Sequence, residues 1–205
     1  MYDEIVLREE EYEGFDITLK VDYNPENPRE WDNVGNMALF HRRYAVANEE
    51  DLSMEDVEKI RKDKSDKYIW FPVYGYDHSI FTIKTSPFSC QWDSGLLGII
   101  YVTRKQALER VYVKAKRVSK KRLENIKNLL QGEVETYNKY LVGDVCGFTV
   151  EKDGEHIDSC WGFFSEEDAI EAAKESIYYH IKRELPLFEV QIEKEMQVDH
   201  QGLTI

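Results

Sequence analysis

Long apolar runs are missing from this chain: nothing in it approaches the roughly 18 consecutive apolar residues of a membrane-spanning helix, so a transmembrane helix is excluded. Cysteine is scarce. The three present (Cys90, Cys146, Cys160) form an odd set without a CxxC pair, the pattern of reduced thiols in a cytosol rather than of a disulfide framework. The first residues, Met1-Tyr2-Asp3-Glu4, lack the basic and apolar regions of a secretory signal. Gly/Ser linkers, internal repeats and low-complexity tracts are also absent. What is present is ordinary for a folded globule: 42% hydrophobic and 13% aromatic residues, well above the disordered range. A length of 205 residues allows one domain or two small ones. The expectation is a soluble cytoplasmic protein without a membrane partner.

The net charge of −13 hides a segregation. Residues 1–66 carry 9 basic and 19 acidic side chains, residues 67–143 carry 13 and 6, and residues 144–205 carry 5 and 15. Within the middle block, residues 104–127 hold ten Lys/Arg against Glu109 and Glu124 alone. Such a stretch can contact phosphates by displacing their condensed counterions. The favoured expectation is instead a solvated helix pair balanced by the acidic ends, since the whole-chain field repels a polyanion. The acidic ends also raise mimicry of a nucleic-acid surface.

Residues 15–23 alternate apolar and polar positions as a half-buried strand does, and residues 5–11 pair back through a turn near Gly14. After the break at Pro25–Pro28, residues 36–44 read as a strand. Ser53 opens a short helix with Met54, Val57 and Ile60 on one side. Residues 68–74 and 80–85 read as paired strands, Pro72 marking the first as an edge or an interruption. Residues 97–102 form a strand, Thr103 caps a helix to about Tyr112, and a helix from Ser119 to about Gln131 buries Leu123, Ile126, Leu129 and Leu130. Residues 145–150 and 156–163 make a hairpin at Asp153-Gly154. Its expected register pairs Val150 with Ile157, Phe148 with Ser159 and Cys146 with Trp161, which puts Trp161 on the core face. Ser165 caps a helix that Pro186 ends, and residues 187–198 read as a last strand or tail. The sum is an α+β fold, a largely antiparallel sheet with three to four helices packed on it, in one domain spanning residues 1–205 with any subdivision near residues 113–143.

Chemistry-bearing residues concentrate in short stretches: Trp31-Asp32-Asn33 with His41-Arg42-Arg43-Tyr44, Tyr76-Asp77-His78-Ser79, the run from Pro87 through Ser89, Cys90, Trp92 and Asp93 to Gly95, and Asp158-Ser159-Cys160-Trp161-Gly162. Tryptophan beside acids, imidazoles and thiols can wall a pocket with aimed polar groups. A thiol nucleophile would be Cys90 with His78 as base and Asp77 or Asp93 as orienter. A hydrolytic metal would gather Asp32, His41, Asp77, His78 and Asp93, although no HxH, HxxxH or HExxH spacing is present. Residues His41-Arg42-Arg43 on a strand would put His41 and Arg43 on one face, with an arginine fork for phosphate or carboxylate. Against each stands a plainer role: a buried small thiol, an Asx-turn aspartate, a structural ion pair.

These motifs, together with Gly132-Glu133-Val134-Glu135-Thr136-Tyr137, resemble a group of hypothetical proteins carried by bacteriophages and other mobile elements, over about residues 28–165. The resemblance implies an accessory role inside an infected or element-bearing bacterium, such as counter-defence or host takeover. The leading expectation is a non-catalytic binding module for a host protein or a small nucleotide-like ligand, presenting Trp31, Asp32, His41, Arg42, Arg43, Tyr76, Asp77, His78, Ser89, Cys90, Trp92 and Asp93. The alternatives are a metal- or Cys/His-dependent hydrolase of phosphoesters, and nucleic-acid binding or DNA mimicry. No cofactor and no oligomeric state is written in the sequence.

Overall fold

The computed structural model describes residues 4–90 and 92–201, and for residues 184–201 the backbone alone. In chain order the elements are β1 (Val6–Tyr12), β2 (Phe15–Val21), a 3₁₀ turn (Pro28–Glu30), β3 (Asn36–Leu39), α1 (Met54–Lys62), β4 (Tyr68–Asp77), β5 (Phe81–Lys84), β6 (Ser94–Thr103), α2 (Arg104–Val111), α3 (Lys120–Val142), β7 (Cys146–Lys152), β8 (Glu155–Phe163) and α4 (Glu166–Gln201). Every strand pairing is antiparallel, in two sheets of four strands each, which is the expected α+β class. No helix among the described residues is long and apolar enough to cross a membrane. In place of a single sheet and core, the chain divides at residues 25/26 and 144/145. An outer unit comprises Met1–Pro25 with Val145–Ile205, and an inserted unit comprises Glu26–Asp144.

The outer unit is a β1-β2-β7-β8 meander with α4 against one face. Its first hairpin closes through Glu13-Gly14 and its last through Asp153-Gly154, all four residues at positive φ, the backbone of the two-residue turns that match strand twist. Phe15, Ile17, Leu19, Phe148 and Val150 project every second residue toward Ala169, Ala173 and Ile177 of α4. The two alanines let the helix lie close, and each fully buried Phe, Ile or Leu contributes about 1.5–3 kcal/mol. The β7–β8 register differs from expectation: Phe148 faces Cys160, Val150 faces Asp158, and bulges interrupt both ends of the ladder. Gly162 at φ +87 supplies the backbone freedom for the shift. Trp161 is therefore 45% exposed instead of core, and its ring lies over Gly147, where no side chain stands in its way. Asp158 turns to the helix and accepts a hydrogen bond from Ser176. Helix α4 also passes Pro186 and runs to Gln201, where a strand or tail was expected. The spacing of Ile181, Leu185, Phe188, Ile192 and Met196 follows a helical period, which outweighs the weak alternation read there.

The inserted unit has the strand order β3-β6-β4-β5, packed against α3, which buries Ile126, Leu130, Val134 and Tyr137. Leu129, expected in that stripe, is 42% exposed, because the stripe advances by four, four and three residues and Leu129 falls beside it. Met54 at the start of α1 is likewise exposed, whereas Val57 and Ile60 are buried. Helices α1 and α2 open with the expected capping boxes at Ser53 and Thr103, and α3 stops at Gly143 in the left-handed region. Pro72 pairs with β6 on one side, and β5 reaches only Tyr74–Asp77 on the other, so the missing N–H falls where β4 is an edge. Strand β3 ends at Leu39, leaving His41–Tyr44 in a loop rather than on the strand expected there.

One buried charge cluster ties this unit together. The Arg29 side chain, 5% exposed, donates to Glu49 Oε1 at 2.7 Å, to Glu133 Oε2 at 3.0 Å and to the Gly35 carbonyl at 2.7 Å. Glu133 Oε1 in turn accepts the backbone N–H groups of Val34 at 2.7 Å and Gly35 at 3.1 Å, and Glu49 accepts that of Met37. Every charge has a fixed partner, the condition under which a buried ion cluster is tolerated.

Candidate functional site

Three of the motifs meet in the inserted unit. The loop after β3, the end of β4 and the start of β6 enclose a cleft of about 380 Å³, lined by His41, Arg42, Arg43, Asp77, Trp92 and Asp93 among others. Gly75 and Gly95 face each other across the β4–β6 ladder in its floor; the Leu97 side chain covers Gly75, and Gly95 is left bare. A Cβ on Gly95 would point into open space, so a ligand can approach the strand there without meeting a side chain.

The His41 ring is fixed on every side. Its Nδ1 accepts the backbone N–H groups of Arg43 and Tyr44, both at 3.1 Å, which leaves the proton on Nε2, 3.2 Å from Asp77 Oδ2. Tyr44 stacks on it at 4.9 Å, and Phe81 closes at 4.8 Å. Arg43 donates to the same Asp77 oxygen, and this hydrogen bond with the guanidinium charge holds the Asp77 carboxyl below the ordinary carboxylate range. A general base needs a nitrogen free to take a proton from substrate; here both nitrogens of His41 are engaged. The histidine and the arginine–aspartate pair thus shape the loop. The same geometry overturns the strand reading of His41-Arg42-Arg43: Arg43 pairs with Asp77, and Arg42 is exposed with no carboxylate partner among the described residues.

Asp93 bridges two further groups. His78 Nδ1 lies 3.4 Å from its Oδ2, and the Cys90 thiol donates to the same oxygen at 3.8 Å. The expected order of thiol, imidazole and orienting carboxylate is therefore rearranged, with the carboxylate in the middle. The thiol contact is therefore to a carboxylate and not to the imidazole that the Cys/His reading requires. Tyr76 stacks with Phe88 at 5.5 Å and with His78 at 6.0 Å, anchoring the loop after β5, while Ser89 is exposed on that loop. At the cleft rim the Trp92 side chain is 96% exposed.

No family model, curated protein or solved structure matches this chain.

The remaining sequence candidates lie elsewhere. Trp31 and Asn33 line a different groove of the inserted unit, with Asp32 exposed between them, so Asp32 does not join His41, Asp77, His78 and Asp93. Among the described residues no three of His, Cys, Asp and Glu are gathered as a metal ion would need. The Asp158–Gly162 motif belongs to the outer unit, where it shapes the β8 bulge. Sequence reasoning missed Gly75, Ser94 and the Arg29–Glu49–Glu133 cluster. Glu133 stood in a quoted motif, but nothing local pairs it with Arg29, 104 positions away.

Proposed function

We propose that the chain is a non-catalytic binding protein whose inserted unit holds a small anionic, ring-bearing ligand of nucleotide type in the cleft of His41, Arg42, Arg43, Asp77, Trp92 and Asp93. One observation carries the reading: the acid–base groups of the cleft are bonded to one another, while a guanidinium and an indole are left open beside the bare backbone at Gly95. Arg42 would take the phosphate and Trp92 would stack on the ring. The resemblance to phage and mobile-element proteins supports placing this role inside an infected or element-bearing bacterium, in counter-defence or host takeover.

The test is thermal shift and calorimetry with mono-, di- and cyclic nucleotides. A ligand present at ~100 times its Kd adds about 2.7 kcal/mol of stability. Arg42→Ala should weaken binding by roughly 10- to 100-fold, the range of a lost charge-assisted hydrogen bond, at unchanged melting temperature. Absence of binding across the panel refutes the proposal. Release of phosphate that His41→Ala abolishes, with folding intact, would move the reading to the phosphoester hydrolase.

A further inference from the structure

The larger groove of the inserted unit, about 650 Å³, shares no residue with the cleft above. It runs between the turn at Pro28–Glu30, the end of α2 and one face of α3, and falls within the ~300–1,000 Å³ typical of ligand sites. Trp31 and Tyr112 stand in its walls, and Leu129 reaches into it from α3, 42% exposed. Asn125, Asn128, Gly132 and Thr136 follow at helical spacing along its α3 wall. The one acid of the lining, Glu133, is already held by Arg29 and two backbone amides.

Cations surround this wall and are not neutralised. Of the ten Lys/Arg between residues 104 and 127, only Arg104, with Asp66, and Lys105, with Glu109, have a carboxylate within 4.0 Å among the described residues. Of the expected balancing by the acidic ends, the described side chains show one direct ion pair, Arg104 with Asp66. Arg110 donates to the carbonyls of Asn33 at 2.7 Å and Val34 at 3.3 Å, which holds its charge beside the groove. The Arg122 guanidinium lies 5.3 Å over the Tyr112 ring, and Lys121 precedes Asn125 by one helical turn on the same face. Glu124 is the one acid of α3 within this basic run.

We propose that this groove takes single-stranded nucleic acid, its bases against Trp31, Tyr112 and Leu129, its base edges within reach of the Asn125 and Asn128 amides, and its phosphates along Arg110, Lys121 and Arg122. Aromatic walls with amides and unpaired cations fit unstacked bases on a polyanionic backbone. An acidic polypeptide would use the cations but leave the rings and amides idle.

The experiment is fluorescence anisotropy of the full chain with labelled dT12 and dA12 oligonucleotides. Three neutralised phosphates give a slope of log K against log salt of about −2, or roughly fifteenfold weaker binding between ~50 and ~200 mM salt. Arg122→Ala should lower that slope by about 0.7. Leu129→Glu, at an exposed position where folding can be verified by circular dichroism, should weaken binding at least ~10-fold, because a carboxylate must be desolvated beneath the bases and adds a like charge near the polyanion. Lys64→Ala, on an exposed loop outside the groove, should change nothing. Any of four results overturns the proposal: no binding at ~50 mM salt, duplex binding as tight as single-strand binding, displacement of the oligonucleotide by poly-glutamate as effective as by unlabelled oligonucleotide, or wild-type affinity in folded Leu129→Glu. None of these bears on the Arg42–Trp92 cleft.

Discussion

Removal of the Arg29 guanidinium is the sharpest perturbation the inserted unit offers. Arg29→Met keeps much of the aliphatic stem but deletes three hydrogen bonds, two of them to carboxylates, in a side chain only 5% exposed. Glu49 and Glu133 are then left facing each other without a cation. Breaking a buried ion pair from one side costs about 3–5 kcal/mol, because the abandoned charge remains desolvated. Against a typical domain stability of about 5–15 kcal/mol, that is roughly a fifth or more of the total. Glu133→Gln should cost less, about 2 kcal/mol, since an amide oxygen still accepts from Val34 and Gly35. The double variant should cost at least ~1 kcal/mol less than the sum, because the second change removes one of the stranded charges. Urea unfolding followed by tryptophan fluorescence reads this directly, as Trp31, Trp70 and Trp92 all belong to the inserted unit. A loss below ~1 kcal/mol in Arg29→Met, or strict additivity in the double variant, would show that the cluster is solvated in solution and refute its role as the unit's internal tie.

Other consequences are narrower. Gly98→Ala should cost about 3 kcal/mol or more in thermal unfolding, the upper end of overpacking, because the new methyl overlaps the carbonyl of Ala38, whose carbon would be 2.9 Å away, and the β3–β6 ladder must part; a wild-type melting temperature would refute that pairing. Asp56 titrates at about 2 against an ordinary 3.8, chiefly through the Ser53 hydroxyl and then Lys59. Its contribution is therefore present above about pH 3.8 and fades as pH falls toward 2. Ser53→Ala should raise that titration toward the ordinary value by carboxyl NMR, and an unmoved midpoint contradicts the capping box. Asp77, also depressed, follows the same sign: its ties to Arg43 and His41 stabilise the loop above the ordinary carboxylate range and weaken on acidification, so His41 ring resonances should shift at low pH in the wild type and not in Asp77→Asn.

Much of the fold was legible because it is written locally. Alternation in residues 15–21, the capping boxes at Ser53 and Thr103 and the Asp153-Gly154 turn each specify their own geometry within a few residues, and each appears where the pattern puts it. The run of α4 past Pro186 was written just as locally, in a helical period that outweighs the weak alternation; the other failures depend on irregular pairing or on partners elsewhere in the chain. The β7–β8 register turns on a bulge at Gly162 that simple alternation does not anticipate. Trp161 leaves the core because Gly147 gives it a place on the other face. At the site, residue types at His41, Asp77, Trp92 and Asp93 pointed to a shared hollow, but the types alone do not say who bonds whom. His41 read as a metal ligand, yet two backbone amides occupy its Nδ1. Trp31 carried the same alphabet and belongs to another groove.

Charge shows the same dependence on long-range organisation. Cut along the sequence, the chain has acidic ends and a basic middle. Cut by its folded units, the outer unit carries 22 acids against 7 bases, net −15, and the inserted unit 18 against 20, net +2. The acidic residues of segment 26–66 thus fold with the basic stretch and not with the termini. Taken by itself, the inserted unit carries no net charge that would repel a polyanion, whereas the outer unit does. The same division sorts the competing proposals: DNA mimicry would have to be performed by the outer unit, whereas the proposed ligand cleft and the proposed nucleic-acid groove both lie in the inserted one. Charge reversal at Arg122 against charge reversal at Glu9 and Glu11 of β1 would therefore separate them, the first weakening oligonucleotide binding and lowering its salt slope and the second doing neither.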